Sequence, residues 1–582
     1  MTGLTARTLI WIIVPLVLAS YYSEYLYDTL QSVISIGRVR EDLQYRIVDG
    51  PAGVFANTIY GDVKGKVLKT PNGLEFYTFL DIPYATPPVE SLRFKRPLPP
   101  KPWKGILDAT ENKKICWNLA IIDIEDDPRQ NEDCLYLNVY VPKSPSNKGL
   151  LPVMFYITGG MFAFNDGTFN SWKPYNFIER DIIMVAMNFR QGPLGLLTTN
   201  DGVIPGNLAL WDQNMALKWV QKNIERFGGD PKKVTINGHS SGGAFATAHL
   251  LSKHSKGLFS GVIAQSGAIT GMDYLQPYPK YNAYKLANTI NPSITTQNTS
   301  EELLAFLMTV PAKTLSDTTK IHPDPEHDTR VVIGFEYELI WKPVMEPSDD
   351  ENVFFSGYPD DKFREGIFNK VPVMVGITSE EGALIGGWKD RIELIDDHPE
   401  LLYRQVEGLT EREKKELGEK MIRVYTEGKL EKNLSAAVKL YSDVGFSNRI
   451  IKFADLVSPY VDVYFYQYSF FGAIENKAGP IVEMEGLGKA AHCAELPYII
   501  WYKLDGDTTV YPEADMRVRR IVSDLFGNFI KYQNPTPKRD AQLQNIIWPK
   551  FDSEQLRFLD IDYNLTVKEN PRGYRQTRKL IY

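Results

Sequence analysis

The chain predicts an α/β fold, with a central, mostly parallel sheet flanked by helices. Three observations carry this expectation. Residues 151–157 and 182–188 are near-continuous apolar runs, the composition of strands buried on both faces. Strand-like and helix-like patterns alternate through the middle of the chain, as crossover connections between parallel strands require. Finally, Val234-Thr235-Ile236-Asn237 alternates as a short strand and runs straight into Gly238-His239-Ser240-Ser241-Gly242, followed by a helical pattern over 244–251.

From the N-terminus, Arg7 precedes an apolar run over residues 9–19. That run is short for a membrane span and suits a secretory leader, with Val17-Leu18-Ala19 placing cleavage after Ala19. An uncleaved membrane anchor, helped by Tyr21 and Tyr22, is the alternative. The expected division is a leader over 1–19, an extension over 20–50 and one domain over 51–582. Residues 53–80 read as short strands with turns, 83–102 as a proline-rich irregular segment, and 135–141 as an alternating strand. A helix is expected over 212–227, ended by Gly228-Gly229-Asp230-Pro231, and a strand over 261–265.

Further on, 274–354 reads as mixed and mostly helical, and 371–377 as a buried strand. Thr410 with Glu413 forms a capping box that opens a helix through Arg423. An aromatic strand is expected over 461–468 and a long amphipathic helix over 516–529. Arg572, Arg575, Arg578 and Lys579 read as a solvated basic tail.

Composition narrows the function classes. The 582 residues are 43% hydrophobic and 24% charged, ordinary for a globular protein. A net charge of -7 argues against a nucleic-acid partner, which wants a basic footprint. Of three cysteines, Cys116 and Cys134 enclose 17 residues, a natural loop to close, while Cys493 is the leftover and is expected to be a free, buried thiol. A bridge over that loop would contribute about 3 kcal/mol. Glycosylation sequons stand at Asn298, Asn433 and Asn564.

The chemistry centres on Ser240. In a G-x-S-x-G turn between strand and helix, the serine hydroxyl is exposed on a sharp, strained backbone. It needs a base, and partners in this motif follow in the order serine, acid, histidine. Seven histidines exist. His239 lies inside the turn and is expected to point away. His249 and His254 lie in or just after the next helix, and His322, His327 and His398 lie in polar, acidic loops. His492 instead follows the small-residue run Gly486-Leu487-Gly488-Lys489-Ala490-Ala491, on a loop after the aromatic strand. Glu380 and Glu381 directly follow the strand ending at Ile377, where a carboxylate can orient an imidazole. Thr158-Gly159-Gly160-Met161-Phe162 follows the strand ending at Ile157, and backbone N–H groups there can face a developing oxyanion.

These segments together resemble the type-B carboxylesterase and cholinesterase family of α/β-hydrolases, most of all its insect esterases, over nearly all the chain after about residue 50. Asn131-Glu132-Asp133-Cys134-Leu135-Tyr136-Leu137-Asn138-Val139 is similar to the family's S-E-D-C-L-Y-L-N-V segment, and Asn188-Phe189-Arg190-Gln191-Gly192-Pro193-Leu194-Gly195 to its N-Y-R-x-G-x-x-G loop. The resemblance implies an α/β-hydrolase fold and a secreted serine esterase acting on small-molecule esters without metal or cofactor. It implies Ser240 as nucleophile, Glu381 as acid and His492 as base. The oxyanion donors would be the N–H groups of Gly160, Met161 and Ser241. Cys116 with Cys134 corresponds to the family's first disulfide, and Arg93–Glu132 and Arg190–Asp212 to its structural ion pairs.

Departures stand beside the matches. The family's H-G-G-G-F reads Thr158-Gly159-Gly160-Met161-Phe162 here. His239 replaces the glutamate before the serine, Ser241 the alanine after it, and Cys493 a small residue. These changes bear on substrate range and rate more than on chemistry. Without a carboxylate at 239, and with Trp117 beside Cys116 and far from Cys134, the anchors of a choline site are missing, so uncharged, fairly hydrophobic esters are expected. The alternative is a non-catalytic adhesion or signalling ectodomain of the same family.

Overall fold

The computed structural model describes residues 47–580, apart from 119–126, 146–148, 165, 272–273, 277, 318–339, 349, 386–388, 404–405, 407, 475–489 and 503–510. The expected leader, most of the 20–50 extension, His322 and His327 lie outside the described residues.

Seven strands run parallel through the middle of the main sheet. Their spatial order is Ile183–Met187, Leu151–Ile157, Gly229–His239, Gly261–Gln265, Val373–Thr378, Val463–Tyr468 and Arg557–Ile561. Antiparallel strands extend the sheet on both sides, from Tyr136–Pro142 toward the N-terminus and to Leu565–Glu569 at the far edge. The central strands are buried along almost their whole length, which is why they read as apolar runs and not as alternation. Apolar side chains from the two faces pack into two separate clusters. One holds the helix Leu208–Asn223 and the helix after Ser240; the other holds the long helix Glu513–Tyr532.

Most expected elements are present, with shifts that have local causes. The 212–227 helix starts earlier, at Leu208, after the left-handed Asn207, and its last turn, Ile224–Phe227, tightens to 3-10 geometry before the left-handed Gly228. The capping box is present: Thr410 Oγ1 accepts from the Glu413 N–H while the Glu413 carboxylate accepts from the Thr410 N–H, opening the helix Glu411–Arg423. Cys116 and Cys134 are bridged, with Cα atoms 4.9 Å apart, and Cys493 is free. The Cys493 residue is half-exposed, not buried as its composition suggested. The two structural ion pairs form, Arg190 meeting Asp212 at 2.7 Å and Arg93 clamping Glu132.

The basic tail is a correction. Arg572 does not lie in solvent. Its guanidinium is buried, pairs with Asp443, lies 3.3 Å from Glu380 and donates to the Ser379 carbonyl. A run of basic residues looks solvated until acceptors distant in sequence supply its counter-charge, and Asp443 and Glu380 lie 129 and 192 residues away. Arg575 and Lys579 do remain exposed.

Removing one side of a buried ionic cluster leaves uncompensated charge and costs about 3–5 kcal/mol. Arg572→Ala should therefore lower the unfolding free energy by about that amount, read from the denaturation midpoint. A loss below about 1 kcal/mol, the scale of an exposed pair, would show that Asp443 and Glu380 are hydrated instead.

Candidate active site

Ser240, Glu381 and His492 come from three loops at the carboxyl ends of parallel strands, the edge where open α/β sheets build their sites. Ser240 ends the strand Gly229–His239 and immediately precedes the helix Ser241–Leu251. Its backbone sits at φ 57 and ψ -125, outside the favoured regions for an L-residue. The turn is this tight because strand and helix nearly touch. A Cβ on Gly238 would come within 2.0 Å of the Gly242 carbonyl oxygen, and one on Gly242 within 2.4 Å of that of Ile157. Only glycine fits at either place.

The three side chains form one hydrogen-bonded line. His492 Nε2 lies 2.9 Å from Ser240 Oγ, and His492 Nδ1 lies 2.6 Å from Glu381 Oε2. The other oxygen of Glu381 accepts from the Thr378 N–H at 2.8 Å and from the Ser266 hydroxyl at 2.7 Å. With Nδ1–H given to Glu381, the free lone pair of a neutral His492 is on Nε2 and faces the serine hydroxyl. This is the arrangement in which an imidazole can take a hydroxyl proton while a carboxylate holds its tautomer.

Of the adjacent glutamates, the structure separates two fates. Glu381, the first residue of the turn Glu381–Ile385, is fully buried and meets His492. Glu380 faces Arg572, and its backbone N–H donates to the Ala490 carbonyl at 2.9 Å, tying the acid loop to the histidine loop. Of the other described histidines, His249, His254 and His398 stand apart from this line, whereas the His239 ring lies 4.9 Å from that of His492. His249 is buried between Ser255 and Gln213, His254 packs on Trp211, and His398 is exposed beside Glu400.

The loop Thr158–Phe162 lies against the elbow, a Cβ on Gly159 falling 3.3 Å from that of Ser240. Gly160, Met161 and Phe162 all have positive φ, at 116, 59 and 61. Met161 therefore occupies a left-handed position that glycine takes freely, at a cost of about 1–2 kcal/mol. Ser241, the third expected donor, is the first residue of its helix, where N–H groups have no intrahelical acceptor.

Sequence reasoning missed three neighbours, Ser266, Phe446 and Glu495, and named a fourth, Cys493, only as a departure from the family pattern. Ser266 follows the strand Gly261–Gln265 at φ 50 and holds Glu381. Phe446 stands on a π-turn, Asp443–Ser447, with its ring 4.5 Å from that of His492. Such single π-turns inside helices occur frequently at functional sites. The sulfur of Cys493 reaches the His492 imidazole, and the Cys493 backbone has φ 74. Glu495, three residues beyond His492, is fully buried, with one oxygen 3.7 Å from His239 Nε2. The spacing of Glu495 from His492 was visible in the sequence; the roles of Ser266 and Phe446 left no local signal.

Electrostatics follow from this burial. Burial by itself lowers the affinity of His492 for a proton, but the Cys493 sulfur and the Glu381 carboxylate oppose it and hold the imidazole well above its ordinary value. His239, buried with its ring 4.9 Å from that of His492, is pushed well below the ordinary value, first by burial and then by the neighbouring imidazole. Burial, and then the charge of Glu381, push Glu495 up to about 8. At neutral pH the pair beneath the site is thus a neutral imidazole and a protonated carboxyl.

Comparison with known proteins agrees with this architecture. The carboxylesterase family model matches residues 53–578. A juvenile hormone esterase of Tribolium castaneum is 29% identical over 537 residues, covering 87% of each chain. A para-nitrobenzyl esterase of Bacillus subtilis (strain 168) is 30% identical over 534 residues, covering 90% of this chain and 98% of its own. Among solved structures, a juvenile hormone esterase from Manduca sexta with OTFP covalently attached superposes with a TM-score of 0.78 at 25% identity, covering 90% of this chain and 98% of that one. A PNB esterase superposes at 0.69 with 26% identity, covering 90% and 99%. A strained serine turn at the carboxyl edge of a mostly parallel sheet, with a family match over nearly the whole described chain, makes this α/β-hydrolase a member of the carboxylesterase family.

Proposed function

We propose that this carboxylesterase cleaves esters through an acyl-enzyme on Ser240, with His492 as general base and Glu381 orienting it. The observation that carries the reading is the unbroken hydrogen-bonded line from Ser240 Oγ through both nitrogens of His492 to Glu381. His492 Nε2 takes the hydroxyl proton as Oγ attacks the ester carbonyl carbon. The carbonyl oxygen becomes an oxyanion facing the N–H groups of Gly160, Met161 and Ser241. The tetrahedral intermediate collapses, and His492 returns the proton to the departing alcohol. Water then repeats the sequence on the acyl-enzyme, releasing the acid and restoring Ser240.

The reading includes secretion after removal of residues 1–19, with residues 51–582 as the catalytic domain. It is supported by the Cys116–Cys134 bridge and by exposed sequon residues. Asn433 caps a helix through its side-chain oxygen, and Asn564 lies between two antiparallel strands at the sheet edge. Asn298 is the less open of the three, its side-chain amide lying 3.3 Å from Glu302. Among the described residues no helix is long and apolar enough to cross a membrane.

The substrate side of the proposal rests on charge. Where a cation-binding esterase would carry a carboxylate beside the nucleophile, this chain has a neutral His239, and the buried Glu495 is held protonated by its surroundings. Phe446 lies directly on His492, and Phe162 packs edge-on to Phe245. Such surroundings favour neutral, hydrophobic esters over cationic ones.

Two measurements test this. Ser240→Ala should lower ester turnover by at least about four orders of magnitude. It should also abolish labelling by a fluorescent organophosphonate while the fold persists. In the parent enzyme the protonated imidazole cannot accept the serine proton, so kcat/KM should fall as pH drops through the raised His492 value, with an inflection above ~6.5. Substantial turnover by the alanine variant, or a rate flat across that range, would remove the assignment.

Comparing kcat/KM for butyrylthiocholine with that for a neutral butyrate thioester of matched leaving group checks the charge argument. The neutral ester should be preferred by about tenfold or more, the scale of one lost cation–π contact. Preference for the choline ester would locate a cation site elsewhere in the pocket.

A further inference from the structure

Three metal-ligating side chains that no step of ester cleavage uses together meet beside Ser240. The ligand atoms of His239, His492 and Cys493 all lie within 4.8 Å of one another. His239 is 3% exposed, and its Nε2 atom has no hydrogen-bond partner, its nearest acid, Glu495, being 3.7 Å away. A buried, unpartnered ring nitrogen is a ligand position waiting for an acceptor of its lone pair. Cys493 is the one free cysteine of the chain, half-exposed, with its sulfur against the His492 ring. Two imidazoles and a thiol form the donor set that suits a borderline-soft d10 dication, which takes such ligands at about 2.0–2.3 Å with a fourth position left to water or an incoming oxygen. Rotamer adjustments of an ångström or so would close the observed spacing to that geometry.

We infer that His239, His492 and Cys493 form an inhibitory Zn2+ site superimposed on the catalytic centre. Coordination displaces the thiol proton of Cys493 to solvent and leaves a thiolate–zinc bond. It also occupies an imidazole lone pair. Because His492 gives Nδ1–H to Glu381, the pair it has to offer is the one on Nε2 that faces Ser240. Zinc and the serine proton therefore compete for one electron pair, and the metal-bound enzyme lacks its base. The metal-binding part stands on the ligand cluster alone; the loss of turnover rests also on the proposed role of His492.

The test uses the full-length enzyme and Zn2+ alone. Zn2+ should slow alkylation of Cys493 by iodoacetamide, and EDTA should restore it. The same concentrations should slow both neutral-ester turnover and organophosphonate labelling of Ser240. Cys493→Ala, measured against its own zinc-free turnover, should need at least about tenfold more Zn2+ for half-inhibition, since losing even an outer-shell partner of a metal ligand costs that much. His239→Gln should weaken the thiol protection. Alkylation of the parent unaffected by inhibitory Zn2+ would overturn the site, as would equal zinc sensitivity in Cys493→Ala. Should the alanine variant not fold, thiol protection in the parent and in His239→Gln decides the matter alone. Thiol protection without loss of turnover would overturn the inhibitory site, while the proposed role of His492 is judged separately by the pH profile of the zinc-free enzyme.

Discussion

A carboxylate buried without donors costs several kcal/mol, and Glu381 is fully buried. Its placement is therefore a constraint that neighbouring segments must meet. Thr378 supplies a backbone N–H from the same strand end, Ser266 supplies a hydroxyl from the adjacent strand, and His492 supplies Nδ1–H from a loop 111 residues further on. Those donors fix the imidazole plane, and the plane aims Nε2 at Ser240. Beneath them Arg572 holds Ser379, Glu380 and Asp443, so the turn carrying Glu381 is pinned from behind by the C-terminal segment. Carboxylate, imidazole and hydroxyl are aligned because three strand ends and a distant arginine satisfy one another's polar groups.

The sequence made much of this visible, and what it hid has a physical cause. The strands Leu151–Ile157 and Gly261–Gln265 were legible to the residue because burial on both faces leaves an uninterrupted apolar run between polar ends. The helix Leu208–Asn223 was legible in type but not in its start, because left-handed Asn207 gives it no side-chain cap. Ser240 and His492 could be read from motif and order. The choice between Glu380 and Glu381 could not be made from spacing; it depends on which of two adjacent side chains turns toward Arg572. Arg572 itself was misread, since its partners come from segments far away in the chain. Ser266 is a serine after a strand, indistinguishable by composition from any loop serine.

Strained backbone gathers at this centre. Met161, Phe162, Ser240, Ser266 and Cys493 are all non-glycine residues with positive φ. Each such residue costs on the order of 1–3 kcal/mol and persists only where its surroundings over-determine it. Here the surroundings are close backbone approaches between elbow strand, elbow helix and the loop after Leu151–Ile157, where a Cβ on Gly238 or Gly159 would fall 2.0 or 2.4 Å from a carbonyl oxygen. Rigidity of that kind is what oxyanion donors need, because their effect depends on being oriented before charge appears. Met161 shows the limit of the requirement: a side chain is accepted at a left-handed position while the backbone course is kept.

His239 changes the electrostatic floor of the site. A carboxylate there would sit beside Ser240, stabilising cations and raising the proton affinity of His492 further. An imidazole buried at 3% exposure stays neutral and offers a lone pair instead of a charge. Glu495 then has no cation at position 239, and burial first and Glu381 second push its carboxyl up to about 8. The remaining formal charge next to His492 is Glu381, already engaged by three donors. A histidine at position 239 thus couples three features: no formal charge beside Ser240, an imidazole at 492 flanked by the Cys493 sulfur and the Glu381 carboxylate, and a ring nitrogen without a hydrogen-bond partner beside the Cys493 thiol.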